Sequence, residues 1–192
     1  SNMVPGLTTK TLEPLVRKVM VGFEACRQYY AHPDKVVVTG TPVRGDFFKL
    51  TREQAREKLG IQPSQPLVVS FWGSLGASHM NEQMVDFIRA ELAAGAPFRH
   101  IHAVGASGYP KMTAALAEAG IELAGTGVEV REYIYDMPTV MRAADLVICR
   151  GGASTISEVT ALGMPAIIVP SPYVVNNHQE KNAGLLEQAG GI

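Results

Sequence analysis

Hydrophobic positions recur along the chain in short runs that alternate with amphipathic segments. From residue 35 onward, strand-length runs with few polar positions are each followed by a segment with helical spacing. In the segment after Ser78, one helical face carries Met80, Met84, Phe87, Ile88 and Leu92. Strands of this kind, each followed by an amphipathic helix, predict a parallel sheet covered on both faces. The fold class predicted is α/β, with a doubly wound, Rossmann-like parallel sheet.

The predicted strands are 35–40, 66–72, 99–105, 128–134, 145–149 and 165–170. The predicted helices are 51–59, 78–94, 109–119, 137–144, 155–162 and 178–189. Thr51 and Gln54 have the spacing of a capping box, and Gly60 stands where the first of these helices is expected to stop.

Residues 4–34 have a different pattern: a helix, a strand-like run at 18–23 and a second short helix, with no partner strand nearby in sequence. We interpret residues 4–34 as the end of a preceding domain that follows a tag remnant at 1–3, and we expect the main domain to be 35–192, truncated at its end. A strand at Val19–Phe23 without its home sheet would be mobile, pack anomalously on the main domain, or pair with another copy of the chain.

Composition restricts the classes of function that the protein can have. Seventeen basic and eighteen acidic residues are spread without a basic cluster, which argues against nucleic-acid binding. The two cysteines, Cys26 and Cys149, lie far apart and without metal-ligand spacing, so a reduced, cytosolic protein is expected. The longest apolar runs are of strand length, well short of the ~20 residues of a membrane-spanning helix.

Two small-residue turns lead from predicted strands into predicted helices. "WGSLGAS" (72–78) has glycines at 73 and 76, which would let a phosphate approach the N–H groups of the helix start; an ordinary turn explains the glycines equally well. The loop is neither GxGxxG nor GxxxxGK[ST], which argues against dehydrogenases and NTPases.

The second turn, "RGGAST" (150–155), leaves Glu158 with two interpretations. Thr155 and Glu158 have capping-box spacing, and the Glu158 carboxylate could equally accept hydrogen bonds from ribose hydroxyls. On the motif alone, the local cap is favoured.

Two further polar elements follow predicted strands. The loop 170–183 gathers uncharged hydrogen-bonding groups that suit the hydroxyls of a sugar, although a solvated loop with an Asn cap is the alternative. In "GTPVR" (40–44), Arg44 could pair with a phosphate in bidentate fashion or simply be exposed.

Taken in order, "TGTPVR", "GSLGA", "YIYDM" (133–137) and the block "CRGGASTISEVTALGMPAIIVPSPYVVNNHQEKNA" resemble the bacterial family of lipid-linked muramyl-pentapeptide N-acetylglucosaminyltransferases. The resemblance covers nearly the whole chain and departs from the family at Trp72, where the family usually has glycine. It implies one half of a GT-B type two-domain glycosyltransferase: the donor-binding C-terminal half plus the end of the N-terminal half.

The resemblance implies an inverting transfer of GlcNAc from UDP-GlcNAc to lipid I, giving lipid II for peptidoglycan. The residues that would surround the donor phosphates are Arg44, Gly73, Ser74, Leu75, Gly76, Ala153, Ser154 and Thr155. Those that would bind the remainder of the donor are Ile134 (uracil, through its backbone), Glu158 (ribose), and His178, Gln179 and Asn182 (GlcNAc). With the family in view, ribose binding becomes the favoured interpretation of Glu158.

The family's candidate base belongs to a glycine-rich N-terminal loop that this sequence does not contain, so we assign no catalytic base. The chain also has no DxD pair, and we expect no metal and no cofactor. The whole protein would act peripherally at the inner face of the cytoplasmic membrane, whereas this chain alone would be soluble and bind only the donor. Two alternatives remain: a non-catalytic UDP-sugar-binding subunit of a split glycosyltransferase, and a relative of UDP-GlcNAc epimerases.

Overall fold

The structure, a computed structural model, describes residues 2–73, 77–174, 177–188 and 190. The strands are β1 Val19–Val21, β2 Val36–Val38, β3 Leu67–Phe71, β4 Arg99–Ala103, β5 Val128–Arg131, β6 Leu146–Cys149 and β7 Ala166–Ile168. The helices are α1 Leu7–Leu12, α2 Arg52–Lys58, α3 Ser78–Ala93, α4 Tyr109–Glu118, α5 Met137–Ala143, α6 Ala153–Leu162 and α7 His178–Gln188. Short 3-10 turns occupy Glu13–Leu15, Glu24–Tyr29, Pro33–Lys35 and Gly45–Phe48.

The chain divides into two compact units, which are described separately. The first unit comprises 1–44, 150–163 and 168–192, and the second comprises 45–149 and 164–167. Within the described part of the chain, no helix is both long enough and apolar enough to cross a lipid bilayer.

The main sheet has five strands in the order β5-β4-β3-β6-β7. β3 pairs in parallel with β4 on one side and with β6 on the other. The chain therefore builds outward from β3 to β4 and β5, and then returns to the opposite side of β3 with β6. This reversal is the topological switch point of a doubly wound sheet, and it confirms the predicted fold class.

One core cluster of the second unit lies between this sheet and the helices α3 and α4, and α5 carries further fully buried residues, among them Val140 and Met141. All five residues of β3 are buried, as expected for the central strand of a covered parallel sheet. On α3, Met84 and Ile88 pack in the core as predicted, whereas Phe87 lies at the edge of the face and is 41% exposed.

The start of α2 confirms the predicted capping box. The backbone N–H of Gln54 donates to the Thr51 hydroxyl at 3.2 Å, and the backbone N–H of Thr51 donates to Oε1 of Gln54 at 2.9 Å. Gly60 follows the helix with φ +65°, a conformation that favours glycine. These contacts span three residues, so the local sequence is sufficient to specify them.

In the first unit, β1 pairs in parallel with β2, from Val19 opposite Val36 to Val21 opposite Val38. The expectation that Val19–Phe23 lacks a partner strand is therefore wrong, and so is the placement of residues 35–40 in the main sheet. Val19, Val21 and Val36 pack with Cys26 and Tyr30 in a small core. An apolar run predicts a strand but not its neighbour, because the neighbour is chosen by contacts distant in sequence.

Candidate functional site

Four loops at or near the carboxyl ends of strands carry the predicted site residues. β3 and β6 are neighbours, and Phe71 at the end of β3 lies opposite Cys149 at the end of β6. In open α/β sheets, ligands bind outside the carboxyl ends of the strands at such a switch point. The loop after β3 and the turn after β6 therefore start from adjacent positions.

The loop after β3 begins with Gly73 at φ +87°, a left-handed conformation in which a side chain would be strained. A Cβ at this position would meet nothing within 4 Å, so backbone conformation rather than crowding requires the glycine. Three predicted phosphate-loop residues, Ser74, Leu75 and Gly76, lie outside the described residues. α3 begins at Ser78, as predicted, after Ala77 as an N-cap without a side-chain hydrogen bond.

In the loop after β5, Ile134 is buried, and only 2% of the residue is exposed. The rings of Tyr133 and Tyr135 flank it, with centroids 4.9 Å apart, and both are exposed. The exposed fraction of 2% is that of the whole residue, so the backbone of Ile134 is little exposed as well. Its role toward a uracil remains a prediction.

The turn after β6 leads into α6 two residues earlier than predicted. α6 begins at Ala153, and its N-cap is Gly152, which has no side-chain cap. Thr155 is thus the third residue of the helix, and the capping-box interpretation of Thr155 and Glu158 is wrong. The first N–H groups of α6 have no capping side chain at Gly152, the arrangement expected of a helix start that can accept an anion.

Within the first unit, the structure brings Glu158 under the electrostatic influence of Arg44. Glu158 is half-buried, and this burial raises the pKa of its carboxyl, while the positive charge of Arg44 acts in the opposite direction. Arg44 is exposed at its position after β2. A partly desolvated carboxylate is a strong acceptor for hydroxyl donors, which fits the ribose role predicted for Glu158.

The predicted sugar-binding residues lie at the start of α7. The Oε1 of Gln179 accepts a hydrogen bond from the backbone N–H of Ser171 at 2.8 Å, so this side chain braces the preceding loop. Asn182 is fully buried: its Nδ2 donates to the carbonyl oxygen of Gly151 at 3.2 Å, and its Oδ1 accepts from the N–H of Met3 at 2.9 Å. The amide of Asn182 is thus engaged with the protein itself, and its contact with a sugar remains a prediction, as does that of His178.

A buried polar network in the second unit was not anticipated. The Ser70 hydroxyl is 2.8 Å from Nε2 of His100 and 2.7 Å from Nδ1 of His102, and Nδ1 of His100 is 2.8 Å from a carboxylate oxygen of Glu91. Burial, and secondarily the charge of His100, lowers the pKa of His102 to about 3. The i, i+2 spacing of the histidines in "RHIHA" could have indicated a shared strand face, but not that this face is buried.

The parallel sheet, its covering helices and its switch point define a Rossmann-like α/β protein. The sequence profile described as the glycosyltransferase family 28 C-terminal domain matches residues 67–192. The chain belongs to this family.

Individual relatives agree with this assignment. A protein of Caldanaerobacter subterraneus named UDP-N-acetylglucosamine–N-acetylmuramyl-(pentapeptide) pyrophosphoryl-undecaprenol N-acetylglucosamine transferase is 43% identical over 191 residues, covering 100% of this chain and 51% of the relative. The crystal structure of Acinetobacter baumannii MurG matches with a TM-score of 0.68 and 28% identity, over 98% of this chain and 49% of that one.

A UDP-GlcNAc 2-epimerase from Neisseria meningitidis, solved bound to UDP-GlcNAc, matches with a TM-score of 0.55 at 12% identity, over 92% of this chain and 53% of that one. This similarity is one of fold alone. The chain spans about half the length of the curated relatives it matches.

Proposed function

We propose that this chain is the donor-binding region of an inverting N-acetylglucosaminyltransferase, which transfers GlcNAc from UDP-GlcNAc to lipid I (undecaprenyl-diphospho-muramoyl-pentapeptide) in peptidoglycan synthesis. The observation that carries the proposal is the 43% identity to a transferase of that name, because it extends over the complete chain. The family membership and the switch point between β3 and β6 support it.

In this proposal, the first N–H groups of α6, in Ala153, Ser154 and Thr155, bind the diphosphate. The N-terminal end of a helix carries partial positive charge and unsatisfied donors, and Gly152 supplies no competing side chain. Arg44 adds a charge-assisted hydrogen bond, and the loop that begins at Gly73 provides further contacts.

The same groups would lower the reaction barrier. As the bond between C1 of the sugar and the diphosphate breaks, negative charge grows on the departing UDP, and fixed donors already in place stabilise it. The acceptor hydroxyl needs a general base to attack C1. We assign that base to a region of the longer protein and not to this chain.

The proposal also assigns residues to the ribose, the uracil and the hexosamine of the donor. Glu158 accepts hydrogen bonds from the ribose hydroxyls, and Ile134 offers its backbone to the uracil. The hexosamine is contacted by His178, Gln179 and Asn182. For Asn182, whose amide is engaged with Gly151, this role is indirect.

We further propose that residues 4–34 are the end of a preceding acceptor-binding domain and that 35–192 form the donor domain, with the pairing of β1 and β2 joining the two segments. Because the acceptor is lipid-linked, the whole protein would associate peripherally with the inner face of the cytoplasmic membrane. Self-association of this chain through residues 4–34 remains a prediction, and light scattering would test it.

Titration calorimetry of the chain with UDP-GlcNAc, UDP-GalNAc, UDP-glucose and ADP-glucose tests the proposal. Preference for UDP-GlcNAc over the other three is expected. Equal affinity for all four, or no binding of any, would contradict it.

A further inference from the structure

Gly151 and Gly152, in the turn between β6 and α6, differ in how much room each has for a side chain. A Cβ added at Gly151 would lie 2.5 Å from the carbonyl oxygen of Gln179, 3.1 Å from its carbonyl carbon and 3.2 Å from its Cβ. The first two are backbone atoms of α7, which cannot move without moving the helix. A Cβ at Gly152 would have only the Thr155 hydroxyl within 4 Å, at 3.8 Å, an ordinary contact.

Gly151 therefore has no side chain because α7 approaches its backbone. Its φ does not fall in the left-handed region, so conformation alone would permit another residue. What excludes a larger residue is a segment 28 positions later in the chain.

The close approach of Gly151 to Gln179 forms a junction between the turn before α6 and the first turn of α7. Asn182, on the next turn of α7, contacts the same junction. It is fully buried, and its Nδ2 donates to the carbonyl oxygen of Gly151 at 3.2 Å. The other contacts of its amide are with Asn2, whose Oδ1 is 3.3 Å from Nδ2, and with the N–H of Met3. Of these contacts among the described residues, only the bond to Gly151 reaches the turn before α6.

Two further contacts hold the loop before α7 to this junction. Gln179 accepts a hydrogen bond from the N–H of Ser171, and Nη1 of Arg150 donates to the carbonyl oxygens of Val169 and Pro170, each at 3.1 Å. The loop at 169–171 thus contributes backbone atoms to these contacts, and the side chains of Arg150 and Gln179 link it to the turn before α6 and to the first turn of α7.

We infer that Gly151 and Asn182 are positioning residues that fix the first turn of α7 against the start of α6 and thereby make binding selective for the sugar portion of the donor. The inference rests on the proposed function, in which the start of α6 binds the diphosphate and the start of α7 faces the hexosamine. A shift of α7 would leave the nucleotide contacts in place and displace those of the sugar.

The test compares the affinities of the chain for UDP-GlcNAc and for UDP by calorimetry. Gly151→Ala should weaken UDP-GlcNAc binding by about tenfold, roughly the effect of losing one hydrogen bond to the sugar, and UDP binding much less. Gly184→Ala on α7, where an added Cβ meets nothing within 4 Å, is the matched control and should leave both affinities unchanged. A purely structural loss of stability would not change the ratio of the two affinities.

A milder pair of variants keeps the test informative if Gly151→Ala does not fold. Asn182→Asp replaces the Nδ2 donor with an oxygen that faces the Gly151 carbonyl, and should reduce the preference for UDP-GlcNAc over UDP. Asn2→Ala removes another partner of the same Nδ2 and should leave the preference unchanged. A wild-type affinity ratio in both Gly151→Ala and Asn182→Asp would overturn the inference.

Hydrogen exchange without ligand separates this inference from the proposed function. If the wild-type chain binds neither compound, the proposed function fails. The junction is then judged by amide exchange, which Asn182→Asp should accelerate at the starts of both α6 and α7. Unchanged exchange at both helix starts would refute the positioning role.

Discussion

His102 lies in the buried network with Ser70, His100 and Glu91, and its lowered pKa predicts that mild acid destabilises the fold. His102 is fully buried, and its ring is in edge contact with Trp72, with centroids 5.9 Å apart. The pKa of His102 falls from its ordinary 6.5 to about 3, first because burial penalises the charged imidazolium and second because of the charge on His100. The folded protein therefore keeps His102 neutral at a pH where the unfolded chain would protonate it.

The sign and size of the effect follow from proton linkage. Below pH 6.5 the unfolded chain binds a proton at His102 that the folded protein does not, so the free energy of unfolding decreases as the pH falls from 6.5 toward 3. Each pH unit in this window contributes about 1.4 kcal/mol, so His102 alone should lower the free energy of unfolding by about 2 kcal/mol at about pH 5.

Urea unfolding measures this loss. Trp72 is the only tryptophan of the chain, and its fluorescence reports on the surroundings of His102. Unfolding curves at about pH 7 and about pH 5 give the pH-dependent loss for the wild type and for His102→Gln, which removes the titrating ring. His79→Gln is the control, because the His79 side chain is 70% exposed.

The wild type and His79→Gln should lose about 2 kcal/mol more between these pH values than His102→Gln. The variant itself should be less stable at about pH 7, because packing and a hydrogen bond to Ser70 are lost. An equal loss in His102→Gln and the wild type would refute the reasoning.

Three predictions concern the donor. Arg44→Ala should weaken UDP-GlcNAc binding by about 1.5–3 kcal/mol in calorimetry, because a charge-assisted contact is lost. The control Arg89→Ala, which removes a surface ion pair with Asp86, should leave the affinity unchanged. Equal affinities of Arg44→Ala and the wild type would contradict the role of Arg44. Burial raises the pKa of Glu158, so the affinity for UDP-GlcNAc should fall on acidification at a higher pH than an exposed carboxyl would give. Glu158→Gln should remove that part of the pH dependence, and a pH profile of affinity that is unaltered in this variant would count against the ribose contact. Affinity should be the same in EDTA and in Mg²⁺, and a gain with Mg²⁺ would show that a metal is involved.

Several features were predictable because they depend on neighbours in sequence. Alternating apolar runs and amphipathic segments predicted the parallel sheet, and the capping box of Thr51 and Gln54 formed as expected. The capping box of Thr155 and Glu158 did not form, although its spacing is the same. There, the small residues before Thr155 allow the helix to start at Ala153, so spacing alone does not locate the N-cap.

The residue pattern thus determined the class of fold and the loops where chemistry was to be sought, since the alternation of buried and exposed positions is a property of each segment. Only the tertiary structure decided that β2 pairs with β1, that His100 and His102 share a buried face with Glu91, and that Gly151 is small because α7 approaches it. Each of these depends on which distant segments come into contact, and periodicity within a segment carries no information about its partner.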